Sequence, residues 1–191
     1  LAHREDVLIE DVEIFKEYWV VSERFKGLTQ IRIMRWDGTE DYYLPIKGET
    51  YDLYGGYNPN FDSTKLRYGY TSLTTPNSLF EYDMVKKTST LLKQSKIMDQ
   101  NFDPNNYVEK RIWSTSRDGL KVPISIVYHK DTTPSAETPF LLYSYGSYGS
   151  TVDPSFSSSR LSLLNRGFVF GIAHVRGGEY LGCLLYTSPS P

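Results

Sequence analysis

Tyr18-Trp19-Val20-Val21-Ser22-Glu23-Arg24 is rich in β-forming residues, and a matching stretch, Leu66-Arg67-Tyr68-Gly69-Tyr70-Thr71-Ser72, returns 48 residues later. The correspondence extends outward without a gap. Gln30 to Arg35 alternates apolar and polar side chains, the period of a half-buried strand, and aligns with Ser78 to Asp83. Asp41 to Leu44 aligns with Ser89 to Leu92, and Asp37-Gly38, a strong two-residue hairpin signal, precedes the first of these. No segment before residue 105 carries a helical stripe. A repeat of this length made of short strands is the signature of propeller blades. A blade is a four-stranded antiparallel meander that must stack on its neighbours, so a pair predicts further blades. One open antiparallel sheet is the alternative on pattern alone.

The polar stretch Gln100 to Asn106 reads as a junction, and the rhythm changes beyond it. Val108 to Ser114 and Val122 to Tyr128 read as strands around a turn at Asp118-Gly119. Two continuous apolar runs follow, Pro139 to Tyr143 and Phe168 to Ala173, as expected of strands buried on both faces of a helix-covered sheet. Between them a helix is predicted over Ser157 to Arg166, with Leu161 and Leu164 facing the sheet and Gly167 at its C-terminal end. Strand, helix, strand at this spacing indicates a parallel crossover and an α/β unit. The fold class is therefore mixed: propeller blades, then the first strands and helix of an α/β domain.

The 191 residues are 39% apolar and 15% aromatic, with 16 tyrosines. Tyrosine suits half-buried β surfaces, where the ring packs and the hydroxyl stays wet. A formal charge of −2 argues against a nucleic-acid partner, which needs a basic surface for phosphates. The single cysteine, Cys183, leaves no internal disulfide and fits a reducing compartment. His3, His129 and His174 are far apart, and no His/Cys pair has zinc spacing. No run of about 18 apolar residues is present, so no membrane partner is expected. The charged start, Leu1 to Asp6, is unlike a signal peptide, which points to the cytoplasm. It lacks an initiator Met, the expectation being a chain cut from something longer or processed.

Glycines at the C-terminal end of a strand let the backbone turn sharply, and ligand sites of open α/β sheets lie there. Tyr145, within Leu142 to Gly149, is placed either to aim its hydroxyl at a reacting oxygen or to pack in a tyrosine-rich turn. Asp153-Pro154 reads first as a helix cap, with Pro at the first helical position, and second as an acidic wall for a cationic substrate. In His174-Val175-Arg176-Gly177-Gly178-Glu179, His174 as base with Glu179 as orienting acid is the tempting reading. A buried histidine ending a strand, with Arg176 paired to a carboxylate and the glycines forming a turn, is the favoured one. The nucleophile elbow G-x-S-x-G is absent from the sequence.

Tyr143-Ser144-Tyr145-Gly146-Ser147-Tyr148-Gly149, Asp153 to Ser157, Arg160 to Leu164, Arg166 to Val169 and the His174 to Glu179 stretch resemble the prolyl oligopeptidase family of serine peptidases. Arg24 to Thr29, Leu66 to Ser72 and Arg117 to Pro123 continue the likeness collinearly, over roughly residues 7 to 182. The resemblance implies a seven-bladed propeller capping an α/β-hydrolase domain. Residues 1–105 would hold about the last two blades, and 106–182 the N-terminal part of the hydrolase domain. It implies cleavage of short peptides, in the branch most resembled after Arg or Lys, by a Ser-His-Asp triad with no cofactor. Tyr145 matches the tyrosine that donates to the oxyanion. Asp153 matches an acid that binds a basic side chain beside the cleavage site, and Ser155 stands where some members carry a second acid. His174 does not match the catalytic histidine. The triad and the acids selecting Arg or Lys would lie beyond residue 191. After Gly182 the family pattern is lost, and 183–191 is expected to be a foreign tail. The rival classes are a non-catalytic β-rich binding module and another peptidase or esterase on the hydrolase core.

Overall fold

The computed structural model describes residues 3–178, 180 and 181. Its first half is two consecutive meanders. β1 (Val7–Ile14), β2 (Tyr18–Phe25), β3 (Leu28–Arg35) and β4 (Asp41–Tyr43) form one four-stranded antiparallel sheet in chain order. β5 (Tyr51–Gly55), β6 (Lys65–Ser72), β7 (Ser78–Asp83) and β8 (Thr88–Gln94) form the second. The sequence repeat therefore corresponds to two sheets of identical topology, with β2 and β6 as equivalent strands. The sheets stack through their alternating inward residues: Tyr18, Val20, Ile31 and Ile33 of the first meet Tyr51, Leu53, Leu66, Tyr68 and Tyr82 of the second. Neither sheet buries both faces, since Ile9, Val12 and Ile14 on β1 and Leu91 and Leu92 on β8 remain exposed.

The turns correct one expectation. Asp37-Gly38 does not form a two-residue hairpin: Trp36 to Thr39 make a four-residue loop closed by Arg35 N–H on the Glu40 carbonyl at 3.0 Å. The two-residue turn is Lys26-Gly27, between the paired residues Phe25 and Leu28. Both have positive φ, +50° and +77°, as a type I′ turn requires.

A 3₁₀ turn at Pro104–Asn106, capped by Asp103 accepting from Asn105 N–H at 2.9 Å, leads into the second half. There β9 (Tyr107–Thr115), β10 (Lys121–His129), β11 (Phe140–Ser144) and β14 (Val169–Ala173) form a mixed sheet in the order β11-β14-β10-β9. β12 (Gly146–Ser147) and β13 (Ser150–Thr151) form a small hairpin, and α1 (Ser158–Leu164) links β11 to β14, which pair in parallel. Leu161 and Leu164 of α1 are buried against Val127, Phe170 and Ile172. Gly167, at φ +83°, follows the helix, its N–H donating to the Leu164 carbonyl at 3.0 Å.

Of the two apolar runs, only β14 is buried throughout. β11 is exposed along its whole length, with Phe140 to Tyr143 between 45% and 50% accessible. It lies at the sheet edge, and α1 covers β14 and β10 instead. Gly171 of β14 has no Cβ, which lets Phe140 and Leu142 lie across it. No helix among the described residues is long and apolar enough to cross a membrane.

Candidate functional site

Three segments distant in sequence converge where the first meander meets the mixed sheet: β1–β2, β5, and the loop before α1. Arg24, near the end of β2, points into the junction with a side chain 7% exposed. Its Nη1 and Nη2 donate to Asp153 Oδ1 at 2.6 Å and Oδ2 at 3.0 Å, and its Nε donates to Glu10 Oε1 at 2.8 Å. The Tyr180 ring lies 5.5 Å from the guanidinium. Burial works against this charge, but the bonds and charges of Asp153 and Glu10 outweigh it and hold the guanidinium protonated.

Beside the pair lies an open cavity of about 490 Å³, walled by Glu10, Asp11, Glu13, Asp52, Asp153 and Arg24 among others. Carboxylates outnumber cations on this wall. Asp52 is pushed up to about 6, first by burial and then by the charges of Asp153 and Glu10, with Arg24 pulling the other way. Burial also raises Glu13, against the amide of Asn58, which donates to it at 2.7 Å. The cavity is thus suited to a cationic group. Among the described residues, no group of three His, Cys, Asp or Glu side chains is placed to hold a metal ion.

Asp153 is therefore not a helix cap. The N-cap position is Ser157, four residues on, and α1 starts at Ser158. The capping geometry of Asp-Pro is overridden by the bidentate bond to Arg24, since charge-assisted pairs are about twice as strong as neutral ones. Tyr145 follows the C-terminal end of β11 and is 43% exposed. The hairpin after it is pressed on the turn at Val175 to Gly177: Gly149 N–H donates to the Gly177 carbonyl at 2.9 Å. A Cβ on Gly146 would lie 2.5 Å from the Arg176 carbonyl oxygen, which is why glycine stands there.

His174 is the buried strand-ending histidine of the favoured reading. It is 1% exposed, 2.8 Å from Ser125 Oγ and stacked on Tyr180 with ring centres 3.7 Å apart. Burial first, then Arg111 and Arg24, lowers it to about 3, so it is neutral at pH 7 and too weak a base for proton abstraction. Ser125, fully buried, is unreachable as a nucleophile. Arg176 pairs with Asp118 at 2.5 Å, and Gly177 turns at φ +87°. Glu179 and residues 183–191 lie outside the described residues.

Residues 1–95 match the family described as prolyl oligopeptidase, N-terminal beta-propeller domain. The chain belongs to the prolyl oligopeptidase family. It is 39% identical to dipeptidyl aminopeptidase BI of Pseudoxanthomonas mexicana over 97% of its length and 25% of that protein's. With protease 2 of Moraxella lacunata the identity is 31%, over 95% of this chain and 26% of the relative. The structure superposes on oligopeptidase B from Leishmania major with a TM-score of 0.88 and 35% identity, over 97% of this chain and 27% of that one. The chain thus spans about a quarter of the length of these prolyl oligopeptidase relatives.

The pairing of Arg24 with Asp153 and Glu10, and the place of Asp52 beside them, escaped the sequence. The available signal was Glu23-Arg24, two charges closing an otherwise apolar strand, which demands buried partners.

Proposed function

We propose that this chain is the propeller-to-hydrolase segment of a serine oligopeptidase that cleaves short peptides after Arg or Lys by Ser-His-Asp acyl transfer. Residues 1–105 supply blades, and 106–182 begin the α/β-hydrolase domain. The triad lies outside the chain, which by itself has no turnover. The observation that carries this reading is the likeness to oligopeptidase B along 97% of the chain at 35% identity. The parallel β11–α1–β14 unit supports the hydrolase assignment, because such sheets present their sites at the strand C-termini, where Tyr145 stands.

In this reading Tyr145 donates its hydroxyl to the tetrahedral oxyanion, and Asp153 stands in the wall that meets a basic side chain. Removing one such preorganised donor costs roughly 10²–10³ in kcat. The test is Tyr145→Phe in a longer gene product carrying the triad, assayed on Arg- and Lys-containing chromogenic peptides. A fall of about that size in kcat with KM little changed is expected. An unchanged kcat, or turnover by the purified 191-residue chain, overturns the assignment.

The 39% identity to dipeptidyl aminopeptidase BI favours a second reading, release of dipeptides from free N-termini. The same assay separates the two. Equal cleavage of acetylated and free peptides supports the oligopeptidase, and loss of cleavage on acetylation supports the second.

A further inference from the structure

The loop that precedes α1 is seated on the second meander. Phe156 N–H donates to Thr71 Oγ1 of β6 at 3.1 Å. Asp153, earlier in the same loop, shares the wall of the 490 Å³ cavity with Asp52 of β5. Asp52 and Thr71 are register partners in the β5–β6 ladder, so their side chains stand side by side on one face of the sheet. The loop therefore rests a hydrogen bond on Thr71 and brings a carboxylate up to the residue beside it.

This seat is short of positive charge. The groups that face Asp52 are Asp153 from the loop, Glu10 from β1, Arg24 from β2 and the Thr29 hydroxyl from β3, with Asp11 and Glu13 of β1 further along the wall. Arg24 is the one cation in this set, and Asp153 and Glu10 already take its Nη1, Nη2 and Nε. Glu109 of β9 reaches the end of β6 from the mixed sheet, accepting from Thr74 N–H at 3.1 Å, and burial raises its carboxyl. An ionised Asp52 thus adds like charge to a half-buried wall with no cation left to offset it. Burial first, and then Asp153, raise Asp52 to about 6, so its charge changes in mildly acidic solution.

We infer that Asp52 is an acid-operated latch between the meanders and the mixed sheet: protonated, it lets loop 153–156 stay seated on β5 and β6, and ionised, it drives that loop off. Lifting the loop returns Asp52 to water, where it ionises more readily. The seated state then binds more protons than the unseated one, and the unseated share grows as pH rises from the ordinary carboxylate value to about 6. The latch concerns the junction within this chain and does not depend on the peptidase reading.

Native-state hydrogen exchange of the 191-residue chain at pH 5 and pH 7.5 tests it. The Phe156 amide reports the seat, and amides inside β3 and β14 report global unfolding. After correction for intrinsic exchange rates, the opening constant at Phe156 is expected to exceed that of the core amides. It is expected to rise about tenfold from pH 5 to pH 7.5, the factor for a carboxyl that passes from its raised value to its ordinary one on opening. Asp52→Asn and Asp52→Ser are expected to lose most of that rise, and Glu109→Gln to keep most of it. An opening constant at Phe156 equal to that of the core amides, or a wild-type value that does not change with pH, overturns the latch. So does a rise that survives in both Asp52 variants. The first two outcomes are read on the wild type and hold whether or not a variant folds. No turnover is involved, so this failure is distinct from failure of the peptidase reading, which appears as an unchanged kcat in Tyr145→Phe.

Discussion

Asp52 carries a stability signal that can be read by titration. Its folded-state pKa of about 6 is above the ordinary carboxylate value, because ionising it places a charge in a half-buried wall already holding Asp153 and Glu10. The folded chain therefore binds more protons than the unfolded chain between about pH 4 and 6. Stability falls as pH rises through that window, and the penalty is complete above it. Ionising a carboxyl held that far above its ordinary value costs the folded chain roughly 2–3 kcal/mol. Asp52→Asn removes the ionisation, so the variant is expected to be more stable than wild type by about that amount at pH 7.5 and nearly equal near pH 4. Urea unfolding at both values checks it, and a difference independent of pH would sink the assignment. At this scale the sequence was half legible. His174 could be read as a buried strand end, because an apolar run delivers it to the core. Tyr145 and Asp153 stood out by family likeness. Arg24 did not, because its partners lie 14 and 129 residues away and no local spacing encodes them.

Among the elements, β2–β3–β4 and β6–β7–β8 were legible because the two sets recur at one interval and β3 alternates apolar and polar residues. The first strand of each meander was not. β1 carries a bulge between Ile9 and Asp11 that breaks its alternation, and β5 is only five residues long. β11 was legible as a strand but not as an exposed one. Hydrophobicity reports what a strand would bury, and neighbours decide whether it does. Its consecutive residues Leu141 and Leu142 face opposite sides and are 45% and 50% accessible. An exposed apolar edge pairs readily with other chains. Because Leu142 rests against Gly171 and Leu141 does not, Leu141→Lys adds a charge to the edge without disturbing that contact. The variant is expected to raise the soluble fraction of the purified chain while changing stability by no more than about 0.5 kcal/mol. Static light scattering measures the first and urea unfolding the second. Unchanged association would show that β11 is not the adhesive edge.

At the scale of the molecule, the two halves are joined by more than the chain between them. Arg24 bonds Asp153, and Arg111 donates to the Lys26 carbonyl at 2.5 Å. Phe156 N–H donates to Thr71 Oγ1 and Thr74 N–H to Glu109 Oε2, each at 3.1 Å. The tightest approach is at the β2–β3 turn. A Cβ on Gly27 would run into the Tyr180 ring and lie 2.7 Å from Arg111 Nη2, whereas one on Gly38 would meet nothing within 4 Å. Both glycines have nearly the same positive φ, +77° and +75°. Alanine at either position therefore brings the same backbone strain, on the order of 1–2 kcal/mol. Only Gly27→Ala also forces the turn away from Tyr180, adding roughly 1–3 kcal/mol of overpacking. Subtracting the Gly38→Ala loss from the Gly27→Ala loss in urea unfolding thus isolates the docking of the first meander on the mixed sheet. The expected result is a larger loss for Gly27→Ala, together with a transition in which fluorescence and far-ultraviolet dichroism no longer coincide. Two local units freed from each other unfold separately, and two probes then report different midpoints. Equal losses with coincident transitions would mean that the halves are held by the linker and the apolar core around Leu73, and that the polar junction around Arg24 adds nothing to their coupling.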